Sequence, residues 1–531
     1  MKPRLCSLSH LPIALCLWLV TSISTPAQLY ISRPNFGVPE FTQPGGTFRT
    51  EIKASAGLTP TLWSAVLTND LRAWTGRVER VEYGLLVDND TSIGYRLTIR
   101  VPSDISPEVF KLIVSHPDGG TATNVNALSV VQNVETNFYI LHYADPQAGG
   151  FEPDKPESGM CGKHGSIREI YWHAPAIRLM NPRFLFDTGD ELDDPYYAGS
   201  VTNYQQYIDA MCQMGVPVLV TRGNNDDMIS TEDWRRTIGI ETYSISIGSF
   251  YVCQKDYNET HFTSWFTNNY AASFTNPAVQ FRLFGQHFSD SGSSWLPPAG
   301  QEPGLMLVGH IHVNSVVQSN PYVILSTEAA FNKGAVSLIE FSRSHTNWSC
   351  TSLTNLSAAQ FQVMSSGAVA RIHSTFAYSN DGSAFTNTAT IVNQLPNRFW
   401  DGRVRFQMPF SSAGYDISNG VKLAEYLYHD GSNLAVLVQV DIAPSATTVV
   451  GIQPAAETAH IVDWTDDPPW TFHFYSSSNR LYTLLCCSNL AEGVWTNVAE
   501  MEPRRGTGGA DQMPFPHLDP SQFFRLNVAL P

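Results

Sequence analysis

Phe184-Leu185-Phe186-Asp187-Thr188-Gly189-Asp190 sets a short apolar run directly against a polar, glycine-containing end. A run of this length closed by a turn signal reads as a buried strand. Working outward, Tyr204, Tyr207, Ile208 and Met211 follow at spacings of three and four, with Gly215 as the stop, which predicts a helix. Val216-Pro217-Val218-Leu219-Val220 is the next apolar run, and Phe138-Tyr139-Ile140-Leu141 and Leu305-Met306-Leu307-Val308 complete a set of four. Strand, helix and strand in alternation predict an α/β layer domain over residues 136–345.

Each of the four runs leads into polar residues of a restricted kind. They are Asp145-Pro146-Gln147, then Asp187 to Asp190, then Arg222-Gly223-Asn224-Asn225-Asp226, and finally Gly309-His310-Ile311-His312. In an open α/β sheet, helices cover both faces, so ligands collect beyond the carboxyl ends of the strands. Carboxylate, amide and imidazole donors without thiolate suit Mn, Fe, Zn or Ni. Strand alternation would send His310 and His312 to one face. The glycines before Asp190, Asn224 and His310 permit sharp turns and close approach to a bound anion. Taken singly, Gly-Asp and Gly-Asn are ordinary turn dipeptides, so the signal lies in the ordered series.

That series resembles the calcineurin-like metallophosphoesterase superfamily, whose signature runs Asp-x-His, Gly-Asp, Gly-Asn-His-Asp/Glu, a lone His and Gly-His-x-His. The resemblance covers residues 136–345 and implies a metallophosphoesterase-type αββα sandwich holding two divalent metal ions. It places Asp145 and His312 on the first metal, Asp190 between both, and Asn224 and His310 on the second. The lone His is read as His287, which follows the strand-like Phe281-Arg282-Leu283-Phe284, with His261 as the alternative. The implied reaction is hydrolysis of a small or polymeric phosphoester by a metal-bridging hydroxide that attacks phosphorus, needing no covalent intermediate on the protein.

Two positions depart from the signature. Gln147 stands where the family has its first histidine, and an amide oxygen is a poorer ligand than imidazole. Asn225 stands where the family has the histidine that neutralises the transition state and protonates the leaving group, a loss of about 10²–10⁴-fold. Phosphodiesters are therefore favoured as substrates. His164, in Cys161-Gly162-Lys163-His164, is a candidate replacement proton donor, and Arg222 either grips a phosphate oxygen or forms an ion pair. His142 reads as a buried structural histidine and Asp226 as a turn cap. The rival reading, motivated by Gln147 and Asn225, is a degenerate phosphoesterase fold acting as an extracellular binding or cell-surface module.

The remainder of the chain frames this domain. Lys2 and Arg4 precede the apolar stretch Leu11 to Val20 and the small-residue site Thr25-Pro26-Ala27, which predicts a signal peptide over 1–27. Secretion or a cell-envelope location follows, with no membrane span in the mature chain. Residues 28–135 and 363–455 alternate with period two and carry turn signals, so both read as all-β, sandwich-like domains. Residues 456–531 read as a small C-terminal β module whose aromatics form either its core or a platform for a cell-surface glycan. The formal charge of −16 over 531 residues disfavours a nucleic-acid partner. Six cysteines remain after the signal, with no CxxC, which disfavours a zinc–thiolate site and leaves both disulfides and buried thiols open.

Overall fold

The structure, a computed structural model, describes residues 29–86, 92–148, 167–192, 199–257, 263–288, 299–319, 322–327, 336–344, 347–356, 371–411, 413–455, 461–465, 471–476, 480–491, 493–498, 501–507, 509–514 and 522–529. The expected signal segment 1–27 lies outside them, as do His164, His261 and Cys161. Strand is the dominant state, and the four α-helices among the described residues all fall between residues 167 and 275.

Residues 30–130 form an eight-stranded sheet around one apolar core. Its long strand Ala73–Leu85 pairs with Ser64–Thr68 through Gly76 and with Ile93–Arg100 from Arg77 onward, so a single strand serves both halves. Period-two patterning explains the packing. In Val109–His116, the residues Phe110, Leu112, Val114 and His116 point inward beside Trp63 and Trp74, and their neighbours are half-exposed.

The middle of the chain contains two sheets. In the first, Val218–Val220, Leu185–Asp187 and Phe138–Tyr143 run parallel, and Val336–Ser344 and Asn347–Leu356 extend the sheet antiparallel. Helices α1 (Ile167–Met180) and α2 (Val201–Cys212) make the crossovers between the parallel strands. The predicted face of α2 (Tyr204, Tyr207, Ile208 and Met211) is fully buried, and Gly215 follows it in the left-handed region at φ 65°. A short α3 (Thr231–Thr237) starts on Ser230, whose hydroxyl accepts from Asp233 N–H.

The second sheet has the order Tyr243–Ile247, Phe250–Lys255, Phe281–Gln286, Leu305–Val308, Tyr322–Ser326, Ser315–Ser319. Its four central strands are parallel, and α4 (Thr263–Thr275) bridges the first two of them. Phe138, Ile140, Phe186 and Leu219 from the first sheet share an apolar core with Phe250, Leu283, Leu305 and Leu307 from the second. The opposite face of the first sheet packs on α1 and α2. That of the second packs on Tyr270 and Phe274 of α4. Strands buried on both faces explain why these segments read as unbroken apolar runs.

Residues 371–455 form a four-stranded and a three-stranded sheet, and their core is continuous with that of α1. Tyr426, Tyr428 and Ala435 of this unit also join the core of residues 30–130, so it bridges the two preceding units. The C-terminal residues form two small sheets around Phe472, Phe474, Tyr482 and Leu484. The five described cysteines (Cys212, Cys253, Cys350, Cys486 and Cys487) are all free thiols. No helix among the described residues is long and apolar enough to cross a membrane.

Candidate metal centre

Five parallel strands from the two sheets end on the same side, and their carboxyl ends deliver the chemistry. Phe138–Tyr143 leads to Asp145, Leu185–Asp187 to Asp190, Val218–Val220 to Asn224, Phe281–Gln286 to His287, and Leu305–Val308 to His310. Ligand atoms of Asp145, Asp190 and His287, all buried, lie within 4.8 Å of one another and could hold a metal ion.

The backbone there adopts an uncommon conformation. Asp145 (φ 47°), Gln147 (42°), Asp190 (58°), His310 (69°) and His312 (49°) all sit in the left-handed region without being glycine. Such residues persist only where the surrounding structure over-determines them, and they cluster at functional sites. The hydrogen bonds holding them are Asp145 N–H to Gly189 O (3.1 Å), Gln147 N–H to Asp190 O (2.8 Å) and His310 N–H to Asp145 Oδ2 (2.7 Å). His310 and His312 lie beyond their strand, so their convergence comes from this backbone and not from the expected strand alternation.

The glycines act through close approach. A Cβ on Gly223 would stand 2.3 Å from both the N and the Oδ1 of Asp190. One on Gly309 would stand 2.7 Å from Asp145 Oδ2. Two ligand-bearing loops thus touch through bare backbone, where the sequence suggested space for an anion.

Asp226, expected as a turn cap, is instead a fully buried hub. Its Oδ2 accepts from Asp190 N–H (2.9 Å) and Gly223 N–H (2.8 Å), and its Oδ1 accepts from Tyr204 O–H (2.6 Å). Asp187 accepts from Tyr207 O–H (2.7 Å) and Gly189 N–H. Burial holds the carboxyls of Asp187 and Glu191 well above the usual range. Asp226 lies beside Glu191, yet neither Glu191 oxygen meets hydrogen-bond geometry. Burial also raises Asp190 to about 6, against the opposing pull of His287 and of the Asn225 N–H.

The donor set fits a cation. His287 Nδ1 is 2.7 Å from Thr188 O. A carbonyl can only accept, so Nδ1 carries a proton, and in the neutral form of the ring Nε2 presents a bare lone pair. That Nε2 lies 3.0 Å from Asn224 Oδ1 and 3.5 Å from Asp190 Oδ1. The Asn224 amide is oriented by its own Nδ2–H, which donates to Asn225 Oδ1 at 3.0 Å. In that form three acceptor atoms face one another. Nearby, Asp145 Oδ1 is 3.2 Å from His312 Nε2 but makes no hydrogen bond, and Gln147 Oε1 is buried without a partner. Lone pairs gathered this closely repel unless a positive charge stands among them.

Not every expected residue is placed alike. Gln147 Nε2–H donates to Asp190 Oδ2 at 3.3 Å, leaving its oxygen free. Asn225 gives its backbone N–H to Asp190 Oδ1 at 2.8 Å. The His310 ring lies 5.2 Å from that of His287 and 4.2 Å from that of Phe288, an aromatic neighbour that the sequence reading missed. Arg222 is 5% exposed, and its guanidinium donates to Asp226 O and Ile229 O, pairs with Asp227 at 3.1 Å and lies over the Trp234 ring. Those partners bind it into the 226–234 segment. His142 is fully buried between the hydroxyls of Thr188 (3.1 Å) and Thr327 (2.8 Å), and burial lowers it to about 3.

No family model matches the chain, and no curated protein does. Among solved structures, it is similar to a purple acid phosphatase from yellow lupin (Lupinus luteus) seeds, at 12% identity over 63% of this chain and 72% of that one, with a TM-score of 0.37. A Staphylococcus aureus protein described as a 5'-nucleotidase aligns at 11% identity over 42% of this chain and 54% of its own, with a TM-score of 0.28. Vacuolar Protein Sorting 29 from Cryptosporidium parvum aligns at 12% identity over 42% of this chain and 99% of its own, with a TM-score of 0.21. With scores this low, the functional case rests on the residues themselves.

Proposed function

We propose that the chain is an exported, metal-dependent phosphoester hydrolase that prefers phosphodiesters, with the two middle sheets and their helices forming an αββα sandwich. The observation that carries this reading is the meeting of Asp145, Asp190 and His287 at the ends of parallel strands, with bare acceptor atoms turned toward one another. When bound, two divalent ions supply Lewis acidity and bring the pKa of water down toward ~7. Asp145, Gln147 and His312 hold one side of the centre, while Asn224, His287 and His310 hold the other. Asp190 serves both, because Gln147 approaches its Oδ2 and Asn225 and His287 approach its Oδ1.

Asn225 supports the diester preference. An amide gives up no proton at neutral pH, so leaving-group protonation by this residue is lost. A diester carries one negative charge against two for a monoester, and leaves less charge to neutralise. The N-terminal order of Lys2, Arg4, an apolar stretch and Ala27 supports export. Purified protein with added Mn²⁺ or Zn²⁺ should cleave bis(p-nitrophenyl) phosphate faster than p-nitrophenyl phosphate, and Asp190→Asn should lower turnover by about 100-fold or more. Absence of turnover with every metal, together with no metal by elemental analysis, would overturn the reading in favour of a binding module.

A further inference from the structure

Burial divides the metal centre into a closed floor and an open mouth. Asp145, Asp190 and His287 are buried, whereas Asn224, Asn225, His310 and His312 are half-exposed, so a substrate has to reach the centre across these four. The side chains set among them are apolar. Ile311, between the two histidines, is 40% exposed, and Val313, just beyond, is 53% exposed. The bond from Ile311 N–H to Gly309 O (2.8 Å) and the left-handed residues on either side fix this tight turn. Met228 is 52% exposed at the end of the 3₁₀ turn Asn225–Met228, in which residues three apart stand on one side, so it shares the side of Asn225. Half-buried Phe288 packs against the His310 ring at 4.2 Å, and Tyr257 meets Phe288 at 5.7 Å.

We propose that this mouth selects phosphodiesters whose non-leaving group is apolar, an alkyl chain or an aromatic ring, with Ile311 and Val313 as the specificity-determining contacts. The inference rests on the hydrolase reading above and deepens it by naming the substrate class. Single exposed apolar residues are ordinary on a protein surface, but Ile311 is flanked on both sides by residues assigned to the metals. A phosphoester lying on His310 and His312 therefore has its neighbouring group against Ile311. An apolar group sheds water there, while a charged one would lose hydration without a partner in return.

Charge points the same way. Among the described residues of the ligand loops (144–148, 188–192, 221–229, 287–288 and 309–314) the one arginine or lysine is Arg222. Its guanidinium is turned inward to Asp226 O and Ile229 O, and its charge is met by Asp227 at 3.1 Å. Asp227 in turn accepts from the Tyr257 hydroxyl. These described loops thus offer a second phosphate or a carboxylate no counter-charge, which disfavours nucleotide polyphosphates and nucleic-acid strands as substrates.

Esters sharing one leaving group isolate the effect. The full chain loaded with Mn²⁺ is assayed on p-nitrophenyl phosphates whose second ester group is methyl, hexyl, phenyl or thymidine 5′-yl. Hexyl or phenyl should exceed methyl in kcat/KM by about tenfold or more, the larger ratio telling alkyl from aryl, and thymidine should exceed neither. Ile311→Ser and Val313→Ser should each cut that ratio by about threefold or more. Val421→Ser, at an exposed valine of the 371–455 unit, should leave it unchanged. In calorimetry on the same Mn²⁺-loaded chain, dihexyl phosphate should bind about tenfold tighter than dimethyl phosphate. Equal turnover of the methyl, hexyl and phenyl esters, a preference for the thymidine ester, or a ratio indifferent to both variants would overturn the proposal while the hydrolase reading stands. Absence of turnover with every ester would remove the hydrolase reading, and the calorimetric pair then decides the apolar mouth by itself, with equal affinities overturning it too.

Discussion

His287 Nε2 and Asn224 Oδ1 face each other at 3.0 Å, and with Thr188 O holding a proton at Nδ1, both facing atoms are acceptors whenever the ring is neutral. This contact sets the first prediction. A divalent ion placed between them removes the repulsion, so Mn²⁺ or Zn²⁺ should raise the melting midpoint. At about 100 times its dissociation constant the gain is about 2.7 kcal/mol. His287→Ala should lose most of that shift. A midpoint unmoved by metal and by EDTA in the unaltered protein would defeat the prediction.

Metal affinity should also depend on acidity in a defined direction. Burial raises Asp190 from 3.8 to about 6, so below pH 6 an incoming cation must displace a proton. Above pH 6 the carboxylate is already free. Calorimetric affinity for Mn²⁺ should therefore fall by up to about tenfold per pH unit as pH drops from 6 toward 5. Asp190→Asn, which has no proton to lose, should bind metal weakly at all these values and lose this component of the slope. An affinity that rises on acidification would contradict the assignment.

Much of this arrangement was legible in the sequence, for a physical reason. Parallel strands covered on both faces must be apolar throughout, so Phe138–Tyr143, Leu185–Asp187, Val218–Val220 and Leu305–Val308 announce themselves as runs. The helical spacing of Tyr204, Tyr207, Ile208 and Met211 is equally local. What stayed hidden is set by tertiary context. Nothing in the residues around Asp145 or His312 signals a left-handed backbone, because that conformation is imposed by partners such as Gly189 and the neighbouring loops. Asp226 looked like a turn cap because its partner Tyr204 lies 22 residues away, on a helix. The joining of residues 371–455 to α1 is likewise a long-range contact that no local pattern encodes.

Asp226 should matter for both stability and turnover. Asp226→Ala would orphan the backbone N–H groups of Asp190 and Gly223 and the hydroxyl of Tyr204, each at about 1–3 kcal/mol. Asp226→Asn keeps one oxygen for the two N–H groups and turns an amide toward a hydroxyl that can accept. We expect the alanine variant to lose several kcal/mol in chemical denaturation, with metal binding lost as well, and the asparagine variant to lose about 1 kcal/mol. Gly223→Ala should displace Asp190 in the same way, since its Cβ would lie 2.3 Å from that residue's N and Oδ1. Equal losses for Asp226→Ala and Asp226→Asn would show that the hub depends on charge and not on counted acceptors.

The buried histidines give stability a sign with pH. Burial lowers His142 from 6.5 to about 3 and His173 from 6.5 to about 4. Between those values and 6.5 the unfolded chain takes up protons that the folded chain refuses. Stability therefore rises with pH across that window and is lost as pH falls below about 6.5, by up to about 1.4 kcal/mol per pH unit for each ring. The raised carboxyls of Asp187 and Glu191 act in the opposite sense, stabilising the folded state toward acid, so the total profile mixes both. A difference measurement separates them. Denaturation midpoints between pH 7.5 and 4.5 should fall more steeply for the unaltered chain than for His142→Gln, whose amide keeps a hydrogen bond to Thr188 or Thr327 but cannot take a proton. Parallel profiles for the two proteins would mean that His142 is protonated in the folded state despite its burial.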